Sequence, residues 1–137
     1  MRCFIGIDLG STTTKAVVID EQRNVLGRGI TNSRSNYDTA AAVAKTEALI
    51  NGRFHLFRGA LQQSGALNGS LEAFIGQLER DFRAEQYLEQ LADLEATCRR
   101  NLAHSNFSGP VAEALDEVFK RLTVEAPALF APGARRK

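Results

Sequence analysis

The chain has 137 residues, 44% of them hydrophobic, which is room for one ordinary domain with a core of its own. Seventeen Lys and Arg against sixteen Asp and Glu leave a net charge of +1, so no bulk field steers nucleic acid or an anionic membrane toward it. The two cysteines lack CxxC spacing, which argues against a disulfide framework or metal knuckle, and the apolar start is broken at Asp8, too early for a secretion signal. A cytoplasmic protein without nucleic-acid or membrane partners is expected, with Cys3 and Cys98 as buried thiols in a reducing compartment.

The first 32 residues are rich in β-branched residues at period two, and the remainder in Ala, Leu, Glu, Gln and Arg. That texture predicts strands first and helices after. Cys3 to Leu9, Lys15 to Asp20 and Val25 to Thr31 read as three strands of an antiparallel meander, with Glu21 to Asn24 as the second turn. Alternation puts Cys3, Ile5, Ile7 and Leu9 on one face of the first strand and Phe4, Gly6 and Asp8 on the other.

After the polar stretch "TNSRSNYD", Asp38 is the predicted N-cap of a helix carrying Val43, Ile50, Phe54, Phe57 and Leu61 at roughly helical spacing, with Gly52 and Gly59 as weak points. Ser33, Arg34, Ser35, Asn36 and Tyr37 form a polar loop for which contact with nucleotide or a partner is one reading and a plain connector the preferred one. A turn at "NGS" places Ser70 as N-cap of a second helix, with Leu71, Phe74, Ile75, Leu78 and Phe82 on one side and a continuation through Leu91, Leu94, Cys98 and Leu102. A third helix starts near Pro110 and is expected to bury Val111, Leu115, Val118 and Leu122, with acids early and Lys120 and Arg121 late to suit its dipole. The tail "APALFAPGARRK" shows no such period. His55 and His104 have no ligand-spaced partner and read as surface or capping histidines; the charge-rich "LERDFRAEQYLEQLADLEATCRR" reads as a solvated helix face. The sequons at Asn68 and Asn106 have meaning only in a secreted chain.

The chemistry-bearing stretch is "FIGIDLGSTTTKAVVID", in which two apolar runs flank Gly, Ser and Thr. Backbone at Gly10 can approach a ligand closely, and the N–H groups and hydroxyls of Ser11, Thr12 and Thr13 can donate to phosphate oxygens. Asp8 can hold Mg²⁺ through its water shell, since that ion takes hard oxygen ligands, and Lys15 can set a positive charge near a terminal phosphate. The segment is neither a Walker A loop, which needs a second glycine and a following helix, nor GxGxxG. Turn geometry and β propensity would also account for the Gly and Thr residues, with Asp8 a solvated charge at a strand end.

The full string "GIDLGSTTTKAVVID" resembles the first phosphate motif of the superfamily of actin, sugar kinases and heat-shock chaperones. Within it, the chain is most similar to ATP-binding subunits of benzoyl-CoA reductase and the related activators of 2-hydroxyacyl-CoA dehydratases. The continuation "VLGRGITNSRSNYDTAAAVAKTEALINGRFHLF" is similar to the larger subunit of the reductase, which has a helical insertion there. The resemblance is specific from Phe4 to about Phe57. It implies an α/β chain: a partial actin-like, ribonuclease H-like ATPase domain over residues 1–37, then a helical insertion and tail over 38–137. It implies Asp8 as the catalytic, metal-side carboxylate and Gly10, Ser11, Thr12, Thr13 and Lys15 as the nucleotide-binding set. ATP and Mg²⁺ are the implied cofactors. A four-iron four-sulfur cluster belongs to the full complex, with ligands outside this chain, and the implied partners are the other reductase subunits, including a second ATP-binding subunit, and ferredoxin as electron donor.

The second phosphate loop and adenine pocket are missing from the pattern, so the expectation is an N-terminal fragment with half a nucleotide site, inactive alone. Rival readings are a 2-hydroxyacyl-CoA dehydratase activator, a small-molecule kinase of the same fold, and a nonenzymatic helical interaction module.

Overall fold

The computed structural model describes residues 1–33, 36–67, 69–104 and 109–134. It forms two compact units, Met1–Ile75 and Gly76–Lys137. The first contains β1 (Cys3–Leu9), β2 (Thr13–Asp20) and β3 (Val25–Asn32), followed by α1 (Tyr37–Ser64). The strands form an antiparallel sheet in sequence order, as the meander predicted, with Asp8 opposite Lys15 and Lys15 opposite Ile30.

The β2–β3 turn is built around Asp20. Its carboxylate accepts from the backbone N–H of Gln22 at 2.9 Å and of Asn24 at 2.8 Å, and from the Asn24 side chain at 2.9 Å. These bonds, the Asn24 side chain first, hold the Asp20 carboxyl below its ordinary pKa despite the opposing effect of burial. Past the turn, Val18 pairs with Gly27 and Ile19 with Val25, leaving Leu26 as the extra residue of a bulge. Consecutive residues Leu26 and Gly27 are therefore both buried.

Thr14, Ala16, Val18 and Asp20 alternate inward from β2, and α1 packs on that face. The helix does so with small residues: Ala40, Ala44, Ala48 and Gly52 recur every four positions and are all buried. The predicted stripe of larger residues does not form the inner face of α1. Val43 and Phe57 are exposed, Phe54 and Leu61 only half-buried, and Ile50 alone of that set is buried. The reason lies in β3. A Cβ on Gly27 would stand 2.9 Å from the Gly52 Cα, and one on Gly29 2.8 Å from the Ala48 nitrogen. Helix and strand backbones meet so closely that large side chains must point elsewhere. The Asn51 side chain ties them further, donating to the Arg28 carbonyl at 2.7 Å.

Two further expectations change. The N-cap of α1 is Asn36, whose side chain accepts from the Thr39 N–H at 2.9 Å; Asp38 sits inside the first turn, where its charge complements the dipole. Cys3 is exposed and Cys98 half-buried, so neither is a core thiol. For Cys3 the cause is topological: β1 is an edge strand exposed along its whole length, leaving Phe4, Ile5, Ile7 and Leu9 uncovered.

The helix α2 (Leu71–Ala103) contributes its first residues to the first unit, where Ile75 is fully buried, and the rest to the second. Ser70 stands at its N-terminal boundary, and the Ser70 carbonyl accepts from the Phe74 N–H at 2.9 Å. In the second unit, α2 and α3 (Pro110–Leu129) are antiparallel: Tyr87 meets Phe130 with ring centroids 5.8 Å apart, while Arg99 binds Asp116 at 2.7 Å. Buried here are Leu91, Phe119 and Ala126. Val111 and Val118, expected inside, are exposed, and the tail expected to lack a period is helical as far as Leu129, passing through Pro127. Among the described residues no helix is long and apolar enough to cross a membrane.

Candidate functional site

The β1–β2 hairpin brings the predicted residues to one end of the sheet. Asp8 and Lys15 face each other across the ladder, and cross-strand partners share a face, so carboxylate and ammonium project from the same side. Both are exposed. Between them the chain reverses through Gly10, Ser11 and Thr12.

Gly10 is where the turn is tightest. Its N–H donates to the Thr13 carbonyl at 3.1 Å, and a Cβ there would stand 2.7 Å from that same oxygen. No other residue type fits without moving the turn. Ser11 and Thr12 are exposed and Thr13 half-buried, so these hydroxyl-bearing residues lie where a ligand can reach them. Thr14, the fourth in the run, is fully buried.

Ser33, read from sequence as part of a plain connector, belongs to the site's support. It is 1% exposed, its N–H donates to the Thr12 carbonyl at 3.0 Å, and its hydroxyl donates to the Gly10 carbonyl at 2.5 Å. The Thr14 hydroxyl lies 2.8 Å from the Ser33 hydroxyl. A signal for this was present in the meander: Thr13 pairs with Asn32, and one more step sets Ser33 opposite Thr12. Arg34 and Ser35 of the same loop lie outside the described residues.

A shallow concavity of about 730 Å³ adjoins the hairpin, lined among others by Gly6, Asp8, Lys15, Val17, Arg28 and Ile30. Arg28 was also missed, though the β3 register places it opposite Val17 and one diagonal step from Lys15. With Glu47 also in its lining, the concavity carries two cations, Lys15 and Arg28, and two carboxylates, Asp8 and Glu47, over an apolar floor, and Asp8 is the carboxylate beside the turn that can take a hard cation. His55 and His104 are exposed, and among the described residues no three His, Cys, Asp or Glu gather to hold a metal directly. A single carboxylate is the donor set of an ion that keeps most of its waters, which fits Mg²⁺ and does not fit zinc. A four-iron four-sulfur cluster takes four thiolates, and the chain has two cysteines, one on β1 and one on α2, so these residues do not fit that group.

The model of the BadF/BadG/BcrA/BcrD ATPase family matches residues 5–127. No curated protein and no solved structure matched the chain.

Proposed function

The chain belongs to that ATPase family, and we propose that it serves as the phosphate-holding part of an ATP-binding subunit of benzoyl-CoA reductase, coupling ATP hydrolysis to low-potential electron transfer for dearomatisation of benzoyl-CoA. The observation that carries this reading is the hairpin: Asp8 and Lys15 opposed across the strands, with an exposed Gly-Ser-Thr turn between them braced from behind by Ser33.

In this reading Gly10 permits the tight turn, the N–H and hydroxyl groups of Ser11, Thr12 and Thr13 hold the phosphates, Lys15 offsets charge near the terminal phosphate, and Asp8 orients a hydrated Mg²⁺. Mg²⁺, when bound, neutralises charge that develops on the transferred phosphoryl group. The four-iron four-sulfur cluster of the full complex takes its ligands from outside these 137 residues, whose two cysteines do not suit it, and the complex is completed by the other reductase subunits. Those subunits, a second ATP-binding subunit among them, and ferredoxin are the proposed partners. The uncovered apolar residues of β1 and its unpaired edge offer them a surface.

The test is purification of the protein with its natural subunits, followed by assay of ATP hydrolysis and benzoyl-CoA reduction in the same preparation. Reduction that stops when ATP is withheld supports the reading. A complex that hydrolyses ATP and acts instead on a 2-hydroxyacyl-CoA, or phosphorylates a small molecule, would replace it with one of the rivals.

A further inference from the structure

We infer that Ser33 is a positioning residue for nucleotide phosphate, acting through the backbone of the β1–β2 turn; this rests on the reading of that turn as a phosphate site. Ser33 lies 23 positions after Gly10 and makes no part of the hairpin itself, yet it engages three of the hairpin's residues. Its N–H binds the Thr12 carbonyl and its hydroxyl binds the Gly10 carbonyl. Because that hydroxyl has one proton and spends it on Gly10, the 2.8 Å contact with Thr14 must be donated by the Thr14 hydroxyl. The result is a buried relay from Thr14 through Ser33 to Gly10.

The consequence for a ligand follows from peptide geometry. The described residues contain no cis peptide, and a trans unit points its N–H opposite to its C=O. Drawing the Gly10 and Thr12 carbonyls toward Ser33 therefore turns the N–H groups of Ser11 and Thr13 away from it. Two backbone donors are fixed in direction before any anion arrives, the arrangement that makes a concave backbone an anion site. Thr14 and Ser33 are 0% and 1% exposed, so water cannot stand in freely for a deleted hydroxyl. Ser33 also lies three residues before the N-cap of α1, so the turn is anchored to the loop that begins the helix.

Two substitutions separate this role from plain stability. Ser33→Ala removes the bond to Gly10 and also the partner of the buried Thr14 hydroxyl, whereas Thr14→Val keeps shape, deletes only the Thr14–Ser33 bond and leaves the bond to Gly10 in place, so Ser33→Ala should lower Tm by more. In the assembled complex, Ser33→Ala should raise the KM for MgATP about tenfold or more with a smaller effect on kcat, and Thr14→Val should leave KM near wild type. In the chain, amide exchange at Gly10, whose N–H binds Thr13, should accelerate in Ser33→Ala and not in Thr14→Val. If both variants shift KM and exchange in proportion to their loss of Tm, or if Ser33→Ala shifts neither, the positioning role is overturned. A wild-type complex without MgATP hydrolysis would sink the phosphate reading instead, and unchanged Gly10 exchange in Ser33→Ala would still overturn the bracing of the turn.

Discussion

Gly29 lies so close to Ala44 that the space a Cβ would occupy is already filled by the Ala44 carbonyl oxygen. The obstacle is backbone on both sides, which cannot rotate out of the way. Gly29→Ala should therefore push α1 off the sheet and cost about 1–3 kcal/mol or more, read as a lowered midpoint in denaturant unfolding. Gly59, on the same helix, has nothing within 4 Å of the Cβ it lacks. Gly59→Ala should raise stability by about 0.5–1 kcal/mol through helix propensity alone.

The Asp20 carboxylate gives the β2–β3 turn an acid sensitivity. Its folded pKa is depressed by the bonds from Asn24 and Gln22, so its contribution is fully present above the unfolded value of about 3.9 and is lost as pH falls through the folded value. Asp20→Asn should remove that part of the acid dependence and flatten the stability profile below about pH 4. Unfolding curves for both proteins at a series of pH values check it.

Burial separates two neighbours on α2. Ile75 is fully buried, and Ile75→Ala should cost about 2–5 kcal/mol. Leu78 is only half-buried, so Leu78→Ala should cost less, and Glu85→Gln at an exposed position should stay within about 0.5 kcal/mol. Calorimetric or denaturant melts of the three variants give the ranking.

The strands were legible because alternation, turn residues and pairing register all act locally. Cys3 to Leu9 needed no correction, and the opposition of Asp8 to Lys15 follows from the turn between them. What packs on the sheet was not legible. Reading large apolar residues as the inner face of α1 fails because Gly27 and Gly29 admit only Ala44, Ala48 and Gly52 beside them, and that match is between residues distant in sequence. Ser33 escaped for a similar reason: a serine in a polar loop gives no local sign that its hydroxyl will be buried against Gly10. Asn36 outranked Asp38 as a cap by two residues, within the range over which capping side chains compete.

One turn with donors on an exposed hairpin gives little enclosure, so the 137-residue chain by itself should hold ATP weakly. Calorimetry with MgATP should show no micromolar binding. A micromolar dissociation constant would mean that these residues alone form a complete nucleotide site.

If Asp8 serves a phosphate-bound metal at this hairpin, ATP hydrolysis by the assembled complex depends on its charge, and the complex carrying Asp8→Asn tests that dependence. The substitution preserves shape at an exposed strand end, so the fold and subunit content should not change. Loss of a charged group that orients the metal should lower turnover by about a hundredfold or more, with ATP-dependent reduction falling alongside. An Asp8→Asn complex that hydrolyses ATP at the wild-type rate would contradict the account and leave the hairpin as a turn whose residues serve geometry alone.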